Sequence, residues 1–172
     1  SNTSIKNLIM NLNQPFKFKV KKFSDRRGYL SEIFSQNKIK LNFNHSIISS
    51  SKKDVIRGLH FRKKPEYKIL FLLKGRIRDY CINLKNKKIK KFDLNENESL
   101  LIPPGFAHGY ECLDKENIVI YFLSWKYNPS LQSGIHYKDK DLNIKWKIKN
   151  PIVSKRDKNL QSFQEILKKK YY

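Results

Sequence analysis

The sequence predicts an all-β fold, an antiparallel sandwich or barrel, on three observations. Short apolar runs recur roughly every ten residues through the middle of the chain, turn residues separate them, and several alternate apolar with polar side chains. That alternation is the period of a strand with one buried face. The runs in order are "FKFKVKKF" from Phe16, "GYLSEIF" from Gly28, "HSIISS" from His45, "DVIRGLHF" from Asp54 and "KILFLLKG" from Lys68. They continue with "RIRDYCINL" from Arg76, "KIKKFDL" from Lys88, "ESLLIPPG" from Glu98, "AHGYECL" from Ala107 and "NIVIYFLSW" from Asn117. The stretch from Asp54 to Gly75 reads as two strands joined by a basic loop. Helical periodicity is confined to the edges: a weak segment over residues 3–12, and "NLQSFQEILKKKYY" at the end, where Leu160, Phe163, Ile166 and Leu167 share one face. The terminal helix is expected to pack on the barrel or on a partner subunit.

A chain of 172 residues is the size of one domain, able to bury roughly two-thirds of its unfolded surface. There is no internal repeat, no Gly/Ser linker and no compositional boundary, so residues 1–172 are read as a single domain. A hydrophobic content of 39% with 13% aromatics excludes disorder. No run approaches the roughly 20 apolar residues that span a bilayer, and "SIKNLIMNLN" is too polar for a secretory core, which leads us to expect a soluble, cytoplasmic protein with no membrane insertion. Cys81 and Cys112 lack metal or redox spacing and read as free buried thiols. The 37 Lys and Arg against 15 Asp and Glu, a net charge of +22, would suit any polyanion. The lysines are spread along the whole chain, and no nucleic-acid-binding pattern concentrates them. Most of the charge is therefore read as a solvated surface.

His60 stands in the middle of "DVIRGLHF", three residues after Arg57 and eight before Lys68. Strict alternation puts it on one face with Ile56, with Val55, Arg57, Leu59 and Phe61 on the other, so His60 alone marks no site. Farther on, "LLIPPGFAHGYEC" sets a Pro-Pro-Gly turn before His108 and an aromatic strand. A G…H strand followed by a P-G-x-x-H turn resembles the cupin barrel, a double-stranded β-helix or jelly roll whose two motifs normally supply three histidines and a glutamate to a metal. Here Arg62 stands where the second histidine belongs, and two imidazoles are too few for the usual ligand set. The barrel is expected without its metal.

Taken with "SDRRGYLSEIF", "VIRGLHF", "KILFLLKGRIRDYCINL" and "LIPPGFAHGY", the stretch "IVIYFLSWKYNPSLQSGIHYKDKDLNIKW" makes the chain resemble the dTDP-4-dehydrorhamnose 3,5-epimerase family from about Phe16 to Asp157. The resemblance implies a cupin-like jelly roll with short peripheral helices, one of them C-terminal, that dimerises and uses neither metal nor other cofactor. It implies a nucleoside-diphosphate 4-keto-6-deoxy sugar as substrate, no nucleic acid, and a role in surface polysaccharide synthesis. Epimerisation next to a ketone needs a base on one face, an acid on the other and a cation at the oxygen. By resemblance His60 is the base, Asp157 in "VSKRD" orients it, Tyr121 returns the proton and Lys68 holds the enolate oxygen. Arg57 and Arg27 match positions near the diphosphate, where a planar fork binds phosphate oxygens in pairs. His108, Tyr127, Glu32 and Trp125 match residues of the sugar or base end.

Read singly, these residues say less. Tyr121 is as well a core aromatic, Lys68 another solvated lysine, Asp157 part of a charged tail, and Arg57 the structural partner of Asp54 or Asp79. The chain also departs from the family pattern: Arg62 follows Phe61 where glutamine is usual, the loop "FRKKPEYK" is short, and "FNHSIIS" puts His45 and Ile47 where the family has Gln and Asn. Losing two amides removes hydrogen bonds to substrate, so another nucleotide, a heptose or inversion at C3 alone remain open. A 3,4-ketoisomerase of the same fold is a further alternative, though Arg62 breaks its R-G-x-H-x-H pattern. A non-catalytic barrel binding a polyanion is the rival from another class.

Overall fold

The computed structural model describes residues 12–126 and 128–171. Among the described residues there are twelve strands: β1 (Phe16–Lys19), β2 (Lys22–Asp25), β3 (Gly28–Ser31), β4 (His45–Lys52), β5 (Ile56–Arg62), β6 (Lys68–Lys74), β7 (Arg76–Asn83), β8 (Ile89–Asn95), β9 (Glu98–Ile102), β10 (Phe106–Cys112), β11 (Glu116–Leu123) and β12 (Gln132–Gly134). Two five-stranded sheets face each other, one in the order β1-β9-β6-β11-β4 and the other β12-β5-β10-β7-β8, while β2 and β3 form a separate hairpin. Every strand pair is antiparallel. The expected all-β jelly roll is what forms.

The core between the sheets joins Leu70, Leu72, Leu100 and Val119 of the first sheet to Ile77, Cys81, Tyr110 and Cys112 of the second. Each sheet is also covered on its outer face. Ile69 and Leu101 meet Ile39, Phe34 and Phe122 on one side, and Leu59, Phe61 and Ile82 meet Ile135, Leu142, Phe163 and Ile166 on the other. Burial on both faces explains why "KILFLL" reads as an unbroken apolar run instead of an alternation. Both cysteines are buried free thiols.

The helices are short: α1 (Gln36–Ile39), α2 (Lys155–Lys158) and α3 (Phe163–Lys168). The helix expected from Asn159 onward is cut back to α3, because the Ser162 side chain accepts from the Glu165 N–H and the Glu165 carboxylate from the Ser162 N–H, a capping box that starts the helix there. Leu160 lies before the cap, and Leu167 is more than one-third exposed, so Phe163 and Ile166 alone anchor α3 to the barrel. Burying a phenylalanine fully contributes about 1.5–3 kcal/mol. The helix expected over residues 3–12 lies, but for its last residue, outside the described residues.

One irregularity positions the site. On β10, His108 pairs with His60 and Tyr110 with Arg57, so three steps along β5 match two along β10. This extra residue is a β-bulge, and it rotates Arg57 and His60 onto the same face. Strict alternation, which separates them, fails here. The bulge depends on glycine: Gly58 has φ +130°, and a Cβ built on it would lie 2.5 Å from the Gly109 Cα. The two glycines let β5 and β10 approach where side chains would hold them apart.

Candidate active site

Between the sheets opens a cavity of about 400 Å³, within the usual size of small-ligand sites. The second sheet sends Arg57, His60, His108, Tyr110 and Gln132 into its lining; the first sends His45, Ile47, Ser49, Lys68 and Tyr121. The first-sheet positions follow from register. Leu123 pairs with His45 on β4 and Lys68 on β6, and Tyr121, two residues before it, pairs with Ile47 and Leu70, so alternate rungs face inward.

Behind His60 lies Asp157. Its Oδ1 is 2.7 Å from His60 Nε2, and its Oδ2 accepts from the Gly58 N–H at 3.2 Å. The tail that carries it is tied to β5 by the Ile56 N–H donating to the Ile152 carbonyl at 3.0 Å and the Ile152 N–H to the Asp54 carbonyl at 2.8 Å. Ser154 then caps α2 by accepting from the Asp157 N–H. Burial works against the Asp157 carboxylate, but the hydrogen bond and charge of His60, the Gly58 N–H and Arg156 together hold its carboxyl below the usual range. An ionised carboxylate accepts from Nε2–H, which leaves Nδ1 as the lone-pair nitrogen of a neutral ring. That is the tautomer of a general base.

A second chain of contacts crosses between the sheets. Asp79 Oδ2 lies 2.9 Å from His108 Nδ1, and His108 Nε2 lies 3.1 Å from Lys68 Nζ. Asp79 and His108 are buried and Lys68 is half-buried. Burial raises the Asp79 carboxyl well above its ordinary value, lowers His108 well below its own and lowers Lys68, while Glu66 and Asp79 favour the Lys68 charge. A neutral His108 can donate to Asp79 through Nδ1 and accept from the Lys68 ammonium through Nε2, which ties the lysine to the buried aspartate. Lys68 is thus no solvated lysine. Facing this chain, Tyr121 Oη lies 2.7 Å from Tyr110 Oη, which lies 3.1 Å from Ser49 Oγ. Burial pushes Tyr110 up to about 12 and Tyr121 well above its ordinary value, so both phenols keep their protons at neutral pH.

Arg57 donates to Ser51 Oγ at 2.8 Å and to the Ser50 carbonyl at 3.2 Å, and its guanidinium lines the cavity. Arg156, beside Asp157, joins it there. Other expected residues lie elsewhere. Arg27 is exposed at the tip of the β2–β3 hairpin, paired with Asp25. Glu32 pairs with Lys38, and Trp125 is exposed with Arg62 5.3 Å over its ring. Tyr127 lies outside the described residues. Among the described residues no cluster of three His, Cys, Asp or Glu is arranged to hold a metal ion. Sequence reasoning did not single out Tyr110, Ser49, Glu66, Gln132 or Arg156 as cavity residues. Tyr110 carried a signal, since it follows His108 by two and so shares its face.

An imidazole backed by a carboxylate on one sheet, a buried phenol on the other and cations around the same cavity suit proton transfer within a jelly roll. Comparison with known proteins narrows that class. A family model described as dTDP-4-dehydrorhamnose 3,5-epimerase matches residues 10–165. The dTDP-4-dehydrorhamnose 3,5-epimerase of Methanothermobacter thermautotrophicus is 34% identical over 160 residues, which cover 83% of this chain and 86% of the relative. Among solved structures, the dTDP-4-dehydrorhamnose 3,5-epimerase of Sulfolobus tokodaii matches at 36% identity and a TM-score of 0.80, covering 88% of this chain and 91% of its own. The Bacillus anthracis enzyme of the same name, with TDP and PPi bound, matches at 29% identity and a TM-score of 0.82, covering 88% and 95%. The chain belongs to the dTDP-4-dehydrorhamnose 3,5-epimerase family, carbohydrate epimerases of the isomerase class.

Proposed function

We propose that this protein epimerises a nucleoside-diphosphate 4-keto-6-deoxy sugar at C3, C5 or both, through an enolate, without metal or other cofactor. The observation that carries the reading is that His60, backed by Asp157, and Tyr121 stand on facing sheets of one cavity. In the mechanism His60 Nδ1 removes the proton on the carbon next to the ketone, and its ring becomes an imidazolium stabilised by Asp157. The Lys68 ammonium, positioned by His108 and Asp79, meets the charge that develops on the ketone oxygen. Tyr121 then donates its proton to the opposite face, and Tyr110 supplies a hydrogen bond to the phenolate left behind. Arg57 and Arg156 suit the diphosphate. Thymidine diphosphate is the nucleotide that the relatives' names favour. Production of precursors for a surface polysaccharide, in the cytoplasm, is the cellular role that fits such a substrate.

The working form in this reading is a homodimer. The β2–β3 hairpin exposes Phe23, Tyr29 and Leu30, the last 69% accessible, and β4 is an edge strand on which Ile48 is also exposed. Exposed apolar side chains and an unpaired strand edge favour burial against a second copy. Arg27 lies outside the cavity of its own chain, so a diphosphate role for it requires the hairpin of one copy to reach the cavity of the other. Incubation with dTDP-4-keto-6-deoxyglucose in deuterated water tests the reaction. Label at C3, C5 or both with inverted product is expected; a sugar recovered unlabelled would overturn the reading.

A further inference from the structure

Glu66, in the loop before β6, is a buried acid in the cavity wall that the mechanism does not use. Its side chain is 5% exposed, it lines the cavity beside Lys68, and its Oε1 has no hydrogen-bond partner among the described residues. The nearest cation to that oxygen by direct pairing, Arg62 Nε, is 3.9 Å away, too far for a hydrogen bond. Leaving a buried carboxylate oxygen without a hydrogen-bond donor is costly, and a carboxylate so placed in a residue of the cavity wall is a group for which a ligand can supply the donor. Burial raises the Glu66 carboxyl, and Lys68, Arg62 and His45 act against that rise. His45 belongs to the same end of the cavity, since it and Lys68 flank Leu123 on one rung of the sheet.

Resting on the epimerase reading above, we infer that Glu66 is a specificity residue that accepts a hydrogen bond from a hydroxyl on the carbon beside the substrate ketone. The two carbons flanking a 4-ketone differ in what they present: C5 carries a methyl group with no donor, and C3 carries a hydroxyl. With the ketone oxygen at Lys68, an acceptor lacking a hydrogen-bond donor two residues before that lysine selects the C3 side. The apolar wall of Ile47 and Leu123 suits the methyl. Glu66 therefore reads the C3 hydroxyl, and sugars without it leave the carboxylate short of a hydrogen-bond donor.

The test compares dTDP-4-keto-6-deoxyglucose with its 3-deoxy analogue, following deuterium exchange at C5 only. The parent is expected to prefer the hydroxylated sugar by about 10²-fold in kcat/KM, the scale of leaving a buried acceptor unpaired. Glu66→Leu is expected to bring the two sugars within about threefold of each other, and Glu66→Gln, which keeps an acceptor oxygen, to retain most of the preference. A merely structural Glu66 would lower both rates and leave their ratio alone, which would overturn the proposal. So would a parent ratio below about threefold, whether or not the leucine variant folds. Absence of exchange on both sugars by the parent would instead refute the epimerase reading on which the proposal rests.

Discussion

His60 and His108 stand directly opposite each other on neighbouring strands, and each is hydrogen-bonded to an aspartate, yet their surroundings set them to different tasks. His60 is partly open to the cavity, and Asp157 behind it is held in its charged form by a backbone N–H and by Arg156 as well as by the imidazole. His108 is buried, its aspartate is raised by burial, and its second nitrogen is already taken by Lys68. A ring with a bare nitrogen facing a cavity can take up a proton; a ring bonded on both sides can only orient its neighbours. The same residue pair thus becomes a proposed base in one place and a support for a lysine in the other, through exposure and through what the second nitrogen meets.

Three substitutions probe this difference, and the largest effect belongs to the open pair. His60→Ala is expected to abolish solvent exchange at every carbon of the substrate, since loss of a general base typically costs about 10²–10⁴ in rate. Deuterium incorporation followed by NMR checks it, and exchange near the parent rate would make His60 a bystander. For the buried chain, Asp79→Asn keeps the shape but removes a charge that favours protonated Lys68. The Lys68 pKa should fall further below its ordinary value, so the alkaline limb of the kcat profile should move to lower pH, by about one unit if a full charge interaction is lost. A limb that stays in place would separate Asp79 from Lys68.

The smallest effect is one of stability. Asp157 has a folded-state pKa below its ordinary value, so its contribution is fully present above that ordinary value and disappears as pH falls through the lowered one. Asp157→Asn is expected to reduce stability by about 1–3 kcal/mol at neutral pH. The gap between parent and variant should narrow in strong acid, and denaturant titrations at several pH values check it. A gap independent of pH would mean that the hydrogen-bond geometry matters and the charge does not.

How far the sequence foretold this arrangement depends on whether a signal was local. The recurring apolar runs yielded the two sheets, because each strand buries a face within its own few residues. "RGLHF" and "AHGY" yielded His60 and His108, and the structure supplies the reason for their glycines: Gly58 and Gly109 touch across the bulge. What alternation missed was that bulge, since an extra residue on β5 is defined only against β10. Arg57 was assigned to the cavity by resemblance, against the alternation rule. Glu66 and Arg156 carried no pattern of their own, because in a chain with 37 Lys and Arg a charge is noticed only once a cavity surrounds it. Ile47 and His45 were marked as departures, and both line the cavity, so the substitutions fall where substrate would be read. The terminal helix was overdrawn because apolar spacing does not reveal where a cap begins.

If proton removal and proton return are divided between facing sheets, Tyr121→Phe in deuterated water separates the two. The phenyl ring keeps the packing of Tyr121 against the core, and His60 with Asp157 is untouched. Continued exchange of the substrate's hydrogen for deuterium is expected at one or more carbons next to the ketone, with inverted product reduced by about 10²-fold or more, the scale of losing a general acid. Inversion at C3 or C5 near the parent rate would contradict it, leaving Tyr121 a core aromatic and the acid on some other side chain.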